Sequence, residues 1–185
     1  MSENYKKTFN ELKDIESGEY EECVFERCDL EGIGLRECIF TNCTFNGCLM
    51  SNVRIINSKL TDCKFNNCKL IGIEWSKFDC QFGFSNIFTN CDMSYSVLVD
   101  IDILGSEFHH CKLTEAYFEY VKARKVPFEK CDFKDTQFLR CDLTECDFST
   151  AINYYFDIRE NICKNAKFNK EDAVYLLKVF GVKLE

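Results

Sequence analysis

A large apolar residue returns at every fifth position along most of this chain, and that period restricts the fold more than any other feature. From 20 to 75 the centres are Tyr20, Phe25, Leu30, Leu35, Phe40, Phe45, Met50, Ile55, Leu60, Phe65, Leu70 and Trp75. Two residues before each stands a mostly small partner, such as Gly18, Cys23, Cys28 or Ser58. A second run, in another phase, passes from Met93 through Leu98, Ile103, Phe108, Leu113, Phe118, Ala123, Phe128, Phe133, Phe138 and Leu143 to Phe148, with partners from Cys91 to Cys146. These 24 pairs contain no Asp, Glu, Lys or Arg, although 29% of the chain is charged. Two positions of each five therefore face inward and three face outward.

Helices repeat at about 3.6 residues and strands at 2, so neither supplies this period. A pair at spacing two, renewed every five, fits a very short strand followed by a tight turn. Such units close into a coil whose backbone bonds to the coils above and below. The units CDLEG (28–32), CDMSY (91–95), CDFKD (131–135), CDLTE (141–145) and CDFST (146–150) resemble those of the pentapeptide-repeat family, in which a small residue, then Asp or Asn, then Leu or Phe precede two variable residues. The resemblance implies an all-β solenoid, a right-handed quadrilateral β-helix of four units or roughly 20 residues per turn. A short C-terminal α-helix follows it. The expected organisation is an N-terminal cap over 1–17, the β-helix over 18–153 with a phase break at 76–90, and a C-terminal segment with a dimerisation helix over 154–185.

Twelve of the 14 cysteines occupy the small inward position, all but Cys80 and Cys163. Residues 20 apart stack, giving ladders Cys23/Cys43/Cys63, Cys28/Cys48/Cys68 and Cys91/Cys111/Cys131. Stacked strands lie about 4.8 Å apart, whereas disulfides need Cβ atoms roughly 3.5–4.5 Å apart on converging vectors. Zinc favours ligand pairs two to four residues apart. The cysteines read as small hydrophobes filling a narrow core, with metal or disulfide chemistry as the lesser alternatives. No cofactor is expected.

The two runs are 18 residues apart, from Trp75 to Met93, so the phase changes within SKFDCQFGFSNIFTN (76–90). Its phenylalanines predict an apolar irregular turn with a lateral bulge, joining two stacked sections. Residues 1–17 are the candidate cover at one end. At the other, NKEDAVYLLKVFG (169–181) predicts a helix, with Asn169 as N-cap, Glu171 and Asp172 in the first turn and Gly181 as stop. Ala173, Leu176, Leu177 and Phe180 form a stripe at helical spacing, and Val174, Tyr175 and Val179 widen it. So apolar a helix predicts self-association, with the stripe as candidate dimerisation residues.

Asn161, Ala166-Lys167-Phe168, Ala173, Leu176-Leu177 and Phe180-Gly181-Val182 look like the C-terminus of the topoisomerase-interacting branch of the family, the Qnr, MfpA and McbG proteins. That resemblance implies a head-to-head dimer through the C-terminal helices. It also implies an acidic rod that imitates duplex DNA, binds DNA gyrase or topoisomerase IV and so gives resistance to quinolones or peptide gyrase poisons.

The formal charge of −8 disfavours nucleic acid as a direct partner and favours a basic protein surface. No apolar stretch reaches the roughly 18 residues of a membrane span. With no apolar run in the first 20 residues, the cysteine content predicts a reduced, cytoplasmic protein. Glu129, Asp132, Asp135, Asp142, Glu145 and Asp147 lie on the last units, near the expected dimer centre, and are the candidate partner-binding residues. The basic run KARK (122–125) stands against them. The alternative is a scaffold for another protein partner, with charges that merely keep the rod soluble. His109 and His110 are neighbours at outward positions beside Phe108, with no fixed carboxylate or nucleophile implied nearby. A filled convex coil offers no concavity, so neither catalysis nor a small-molecule substrate is expected.

Overall fold

The computed structural model describes residues 2–81 and 83–182; Met1, Phe82 and the last three residues of the expected C-terminal segment lie outside them. The chain winds into a parallel β-solenoid of about eight turns. Each turn presents four faces, here numbered in chain order. Face 1 carries Tyr20, Phe40, Leu60, Ile103, Ala123 and Leu143; Phe25 lies on face 2, Leu30 on face 3 and Leu35 on face 4. Every inward residue of the 24 pairs is buried except Ile33 and Ile55, which are half-buried on face 4 of the first coils.

The backbone explains why the unit is five residues long. Three residues form a strand segment, as in the register Thr44–Lys64, Phe45–Phe65 and Asn46–Asn66. The residue two after each centre then turns the corner in the left-handed region, as at Arg27 (φ 50°), Asn42 (φ 52°) and Asp135 (φ 58°). Side chains other than Gly pay roughly 1 kcal/mol or more there, which suits Asn at Asn42, Asn52, Asn57, Asn67 and Asn90. The corner N–H groups are not lost: Arg27 donates to the Asn46 carbonyl at 2.8 Å, one coil on.

Stacking identical faces produces columns. On face 2, Phe9, Phe25, Phe45, Phe65, Phe88, Phe108, Phe128, Phe148 and Phe168 run the length of the molecule, with successive ring centroids 4.6–5.3 Å apart. Offset stacks of this kind add about 0.5–1.5 kcal/mol per pair beyond the burial itself.

The column also shows how the phase break is absorbed. Phe65 pairs with Phe88, Lys69 with Asp92 and Glu74 with Val97, so faces 2, 3 and 4 stay in register across it. The additional residues all fall on face 1. A 3₁₀ turn at the end of face 4, Trp75–Lys77, leads onto face 1, where buried Phe78 and Phe84 lie between the Leu60 and Ile103 coils. The Trp75 indole N–H donates to Ser96 at 3.1 Å, and Asp79 pairs with Lys59 at 2.8 Å. The break thus fills one wall of an uninterrupted coil. In consequence Cys68 lies beneath Cys91, and two of the expected ladders become one of six: Cys28, Cys48, Cys68, Cys91, Cys111 and Cys131.

All 14 cysteines are free thiols. They do more than fill space. The Cys43 thiol donates to the Tyr20 carbonyl at 3.1 Å, Cys48 to Phe25 at 3.4 Å and Cys111 to Phe88 at 3.4 Å. Where the small residue is Ser58, Thr136 or Asn161, it makes the same bond, to Leu35, Leu113 and Phe138. A donor at the small inward position thus adds a bond to the neighbouring coil, although Val53, Ile73, Ala116, Val121 and Val126 fill the same position without one. Cys, Ser, Thr and Asn are compact and supply that bond; the aliphatic residues supply packing alone.

The solenoid extends past both expected boundaries. Residues Ser2–Tyr5 pair with Gly18–Glu21, and Thr8–Asn10 with Val24–Glu26, so much of the expected cap is a first, shortened coil. Gly18 is required there, because a Cβ would lie 2.3 Å from the Ser2 hydroxyl. At the far end Lys167–Phe168 pairs with Asp147–Phe148. The expected helix is shorter than 169–181: an α-turn over Ala173–Leu176 passes into a 3₁₀ turn over Leu177–Phe180. Asn169 accepts from the Glu171 N–H at 2.8 Å in a turn before the helix, and Gly181 ends it at φ 71°.

Candidate functional site

The inward pairs fill the coil axis, so anything the molecule recognises meets outward side chains. The six candidate acidic residues do not share one face. Glu129 and Asp147 lie on face 2, Asp132 and Asp135 on face 3 and its following corner, Asp142 and Glu145 on face 1 and its corner.

Most of them already have partners. The Arg124 Nε lies 2.6 Å from Asp142, Lys125 lies 3.8 Å from Glu145, and Lys167 lies 3.2 Å from Asp147. KARK is therefore the counter-charge of the acids one coil on. Partial burial works to raise the Asp142 carboxyl, but hydrogen bonds from Thr144 and Arg124 outweigh it and hold it below the usual range. The Ser149 hydroxyl, with help from Lys167, does the same for Asp147. Asp132 accepts from the Asn153 amide at 2.8 Å. Asp132 and Asp135 belong to no ion pair among the described residues.

His109 differs from its expected setting. Its Nε2 lies 2.9 Å from Glu107 and its Nδ1 3.0 Å from Glu129, so two carboxylates bracket the ring. Partial burial works against the charged ring, yet the two hydrogen bonds prevail and its pKa is raised. Sequence reasoning missed Glu107 although it is only two residues away on the same strand, and missed Glu129 because it is 20 residues away, one full coil. The same spacing would have found Lys125–Glu145 and Asp147–Lys167. No group of His, Cys, Asp and Glu able to hold a metal occurs among the described residues.

The candidate dimerisation stripe divides. Leu176 is buried against the coil end and Ala173 is half-buried, while Leu177 and Phe180 are exposed. Val174, Tyr175 and Val182 are exposed as well. The Arg159 guanidinium lies over the Phe180 ring at 5.6 Å. No helix is long and apolar enough to cross a membrane.

Among solved structures, HetL, a pentapeptide repeat protein involved in heterocyst differentiation regulation from the cyanobacterium Nostoc, superposes with a TM-score of 0.58 at 12% identity, covering 90% of this chain and 83% of its own. A trypsin-treated form of QnrB1, a plasmid-mediated fluoroquinolone resistance protein, aligns over 100% of both chains at 17% identity with a TM-score of 0.43. Likeness at such identities speaks to the fold alone. No curated protein matches the sequence. The family model described as pentapeptide repeat region matches residues 19–85, and that described as pentapeptide repeats (8 copies) matches residues 111–149. Together they span more than half of the chain, which belongs to the pentapeptide-repeat family.

Proposed function

We propose that this protein is a non-enzymatic rod that binds another protein through its outward side chains and pairs with a second copy through its C-terminal segment. The observation that carries the reading is the filled axis: Phe, Leu, Met and Cys occupy it from coil to coil, leaving recognition to the convex faces. Exposed Val174, Tyr175, Leu177, Phe180 and Val182 at one end supply the apolar surface for pairing. Fourteen free thiols suit a reducing compartment such as the cytoplasm. Light scattering tests the pairing. The wild-type chain should have the mass of a dimer and Leu177→Asp that of a monomer; an unchanged mass in the variant refutes it.

The finer reading is that the partner is DNA gyrase or topoisomerase IV, engaged by mimicry of duplex DNA, with resistance to a quinolone or gyrase poison as the outcome. Net charge of −8 and the unpaired carboxylates of Asp132 and Asp135 favour it. The ion pairs of Asp142, Glu145 and Asp147 shift the attractive field toward those two residues. A supercoiling assay with and without a quinolone decides it. The rod should change the enzyme's response at low salt and lose that effect in high salt or as Asp132→Lys/Asp135→Lys. Absence of any effect at low salt removes the topoisomerase reading and leaves the protein-binding rod.

A further inference from the structure

The strands Val97–Val99, Tyr117–Glu119 and Gln137–Leu139 form a three-stranded sheet, the outer wall of face 4 beyond the phase break. In register, its outward rows are Val97, Tyr117 and Gln137, then Val99, Glu119 and Leu139. The corner on one side bears Tyr95 and Glu115, that on the other Asp100 and Tyr120. Tyr95 and Tyr120 are 53% and 46% exposed, so both rings stand free of the core.

Two features set this wall apart. Four of its six outward strand positions, Val97, Val99, Tyr117 and Leu139, are apolar and half-buried, beside Gln137 and Glu119, whereas most outward positions of the coil are charged or amide. Its carboxylates also lack cations: Asp100, Glu115 and Glu119 belong to no ion pair among the described residues. Instead the Tyr95 hydroxyl donates to Glu115 and the Tyr117 hydroxyl to Glu119, each at 3.0 Å. Arg140, at the Tyr120 corner one coil on, lies over the Tyr120 ring and donates to its hydroxyl, close enough for its charge to act on Glu119 without forming an ion pair.

We propose that this sheet is a docking surface for a basic segment of a partner protein whose lysines or arginines alternate with apolar side chains. The apolar members would cover Val97, Val99, Tyr117 and Leu139, while the cations meet Asp100, Glu115 and Glu119. Charge complementarity selects this occupant over a second copy, since two rods of charge −8 repel when laid side by side. The proposal rests on the protein-binding reading and is independent of the topoisomerase one.

A short fluorescein-labelled peptide of alternating Leu and Lys is the probe, with a Leu–Glu peptide and oligolysine as controls. In fluorescence anisotropy with the intact protein, the Leu–Lys peptide should bind, and Glu119→Lys or Leu139→Ser should weaken it about tenfold. Glu19→Lys/Glu21→Lys, on face 1 of an early coil, should leave binding unchanged. All variants are outward, so unaltered melting curves confirm that folding is not the cause. Equal binding of oligolysine or of the Leu–Glu peptide, or an equal loss in the Glu19/Glu21 variant, overturns the proposal. Leu–Lys binding that ignores both face 4 variants overturns this surface while leaving a protein-binding rod. Self-association of the wild type that Leu139→Ser abolishes assigns the wall to a second copy and also overturns it.

Discussion

The coils on either side of the phase break have the same interior and different exteriors. One phenylalanine column and one cysteine ladder pass through both without a step. Outside, face 4 bears Gly34, Arg36, Arg54 and Ile56 in the early coils, and Val97, Val99, Tyr117, Glu119, Gln137 and Leu139 in the later ones. The difference teaches that inward residues answer to a geometry shared by every coil, whereas outward residues are free to vary. Fold resides in the first set and recognition in the second.

The strongest attempt to break the comparison puts a charge into each half. Phe45→Asp and Phe133→Asp should each cost more than about 4 kcal/mol, because an unpaired carboxylate would enter a dry column. Both should abolish soluble, cooperatively folded protein to a similar degree, read by expression and thermal melting. Normal melting of either would show that the two interiors are not equivalent.

A second attempt compares the irregular segments, each closed by an inward asparagine. Asn161 accepts from the Cys141 N–H at 2.8 Å and donates to the Phe138 and Asp157 carbonyls, each at 2.9 Å. Asn86 accepts from the Cys63 N–H at 2.8 Å, but its amide nitrogen has no partner among the described residues. Asn161→Ala should therefore destabilise by about 2–3 kcal/mol and Asn86→Ala by about 1 kcal/mol in denaturant melts. Equal losses would mean that the two closures do the same job.

The smallest expected effect at neutral pH becomes visible in alkali. Burial pushes the Cys28 and Cys141 thiols up to about 11 and Cys146 up to about 12. An unfolded thiol ionises near 8.5, so above that pH the unfolded chain releases protons that the coil retains. Stability is thus fully present below about pH 8.5 and falls as pH rises toward 11–12. Melting temperature should be flat from neutrality to that point and then drop, less steeply in Cys141→Ser/Cys146→Ser. A flat profile to pH 11 would contradict the buried ladders.

The interior was legible because exclusion of charge from two positions in five leaves few alternatives. Three things were not. The first coil escaped notice because Asn4, a polar residue, stands opposite Tyr20, and because Phe9 lies 16 residues before Phe25, off the five-residue count. At the other end Asn161 hid the continuing coil, since an inward amide looks like a break until its bonds to Cys141 and Phe138 are seen. The acidic cluster read as free because its cations lie 18 to 20 residues away in sequence, one coil distant in space. Cysteine's role was half legible: its size was plain, its donor bond to the neighbouring coil was not.

Thiol accessibility tests the inward–outward division most directly. In the native protein, Ellman's reagent should leave the twelve buried cysteines unreacted, with slow reaction only at half-buried Cys80 and Cys163, until denaturant releases all fourteen together. Reaction of the ladder thiols in the folded protein, at the rate of the unfolded chain, would contradict the account.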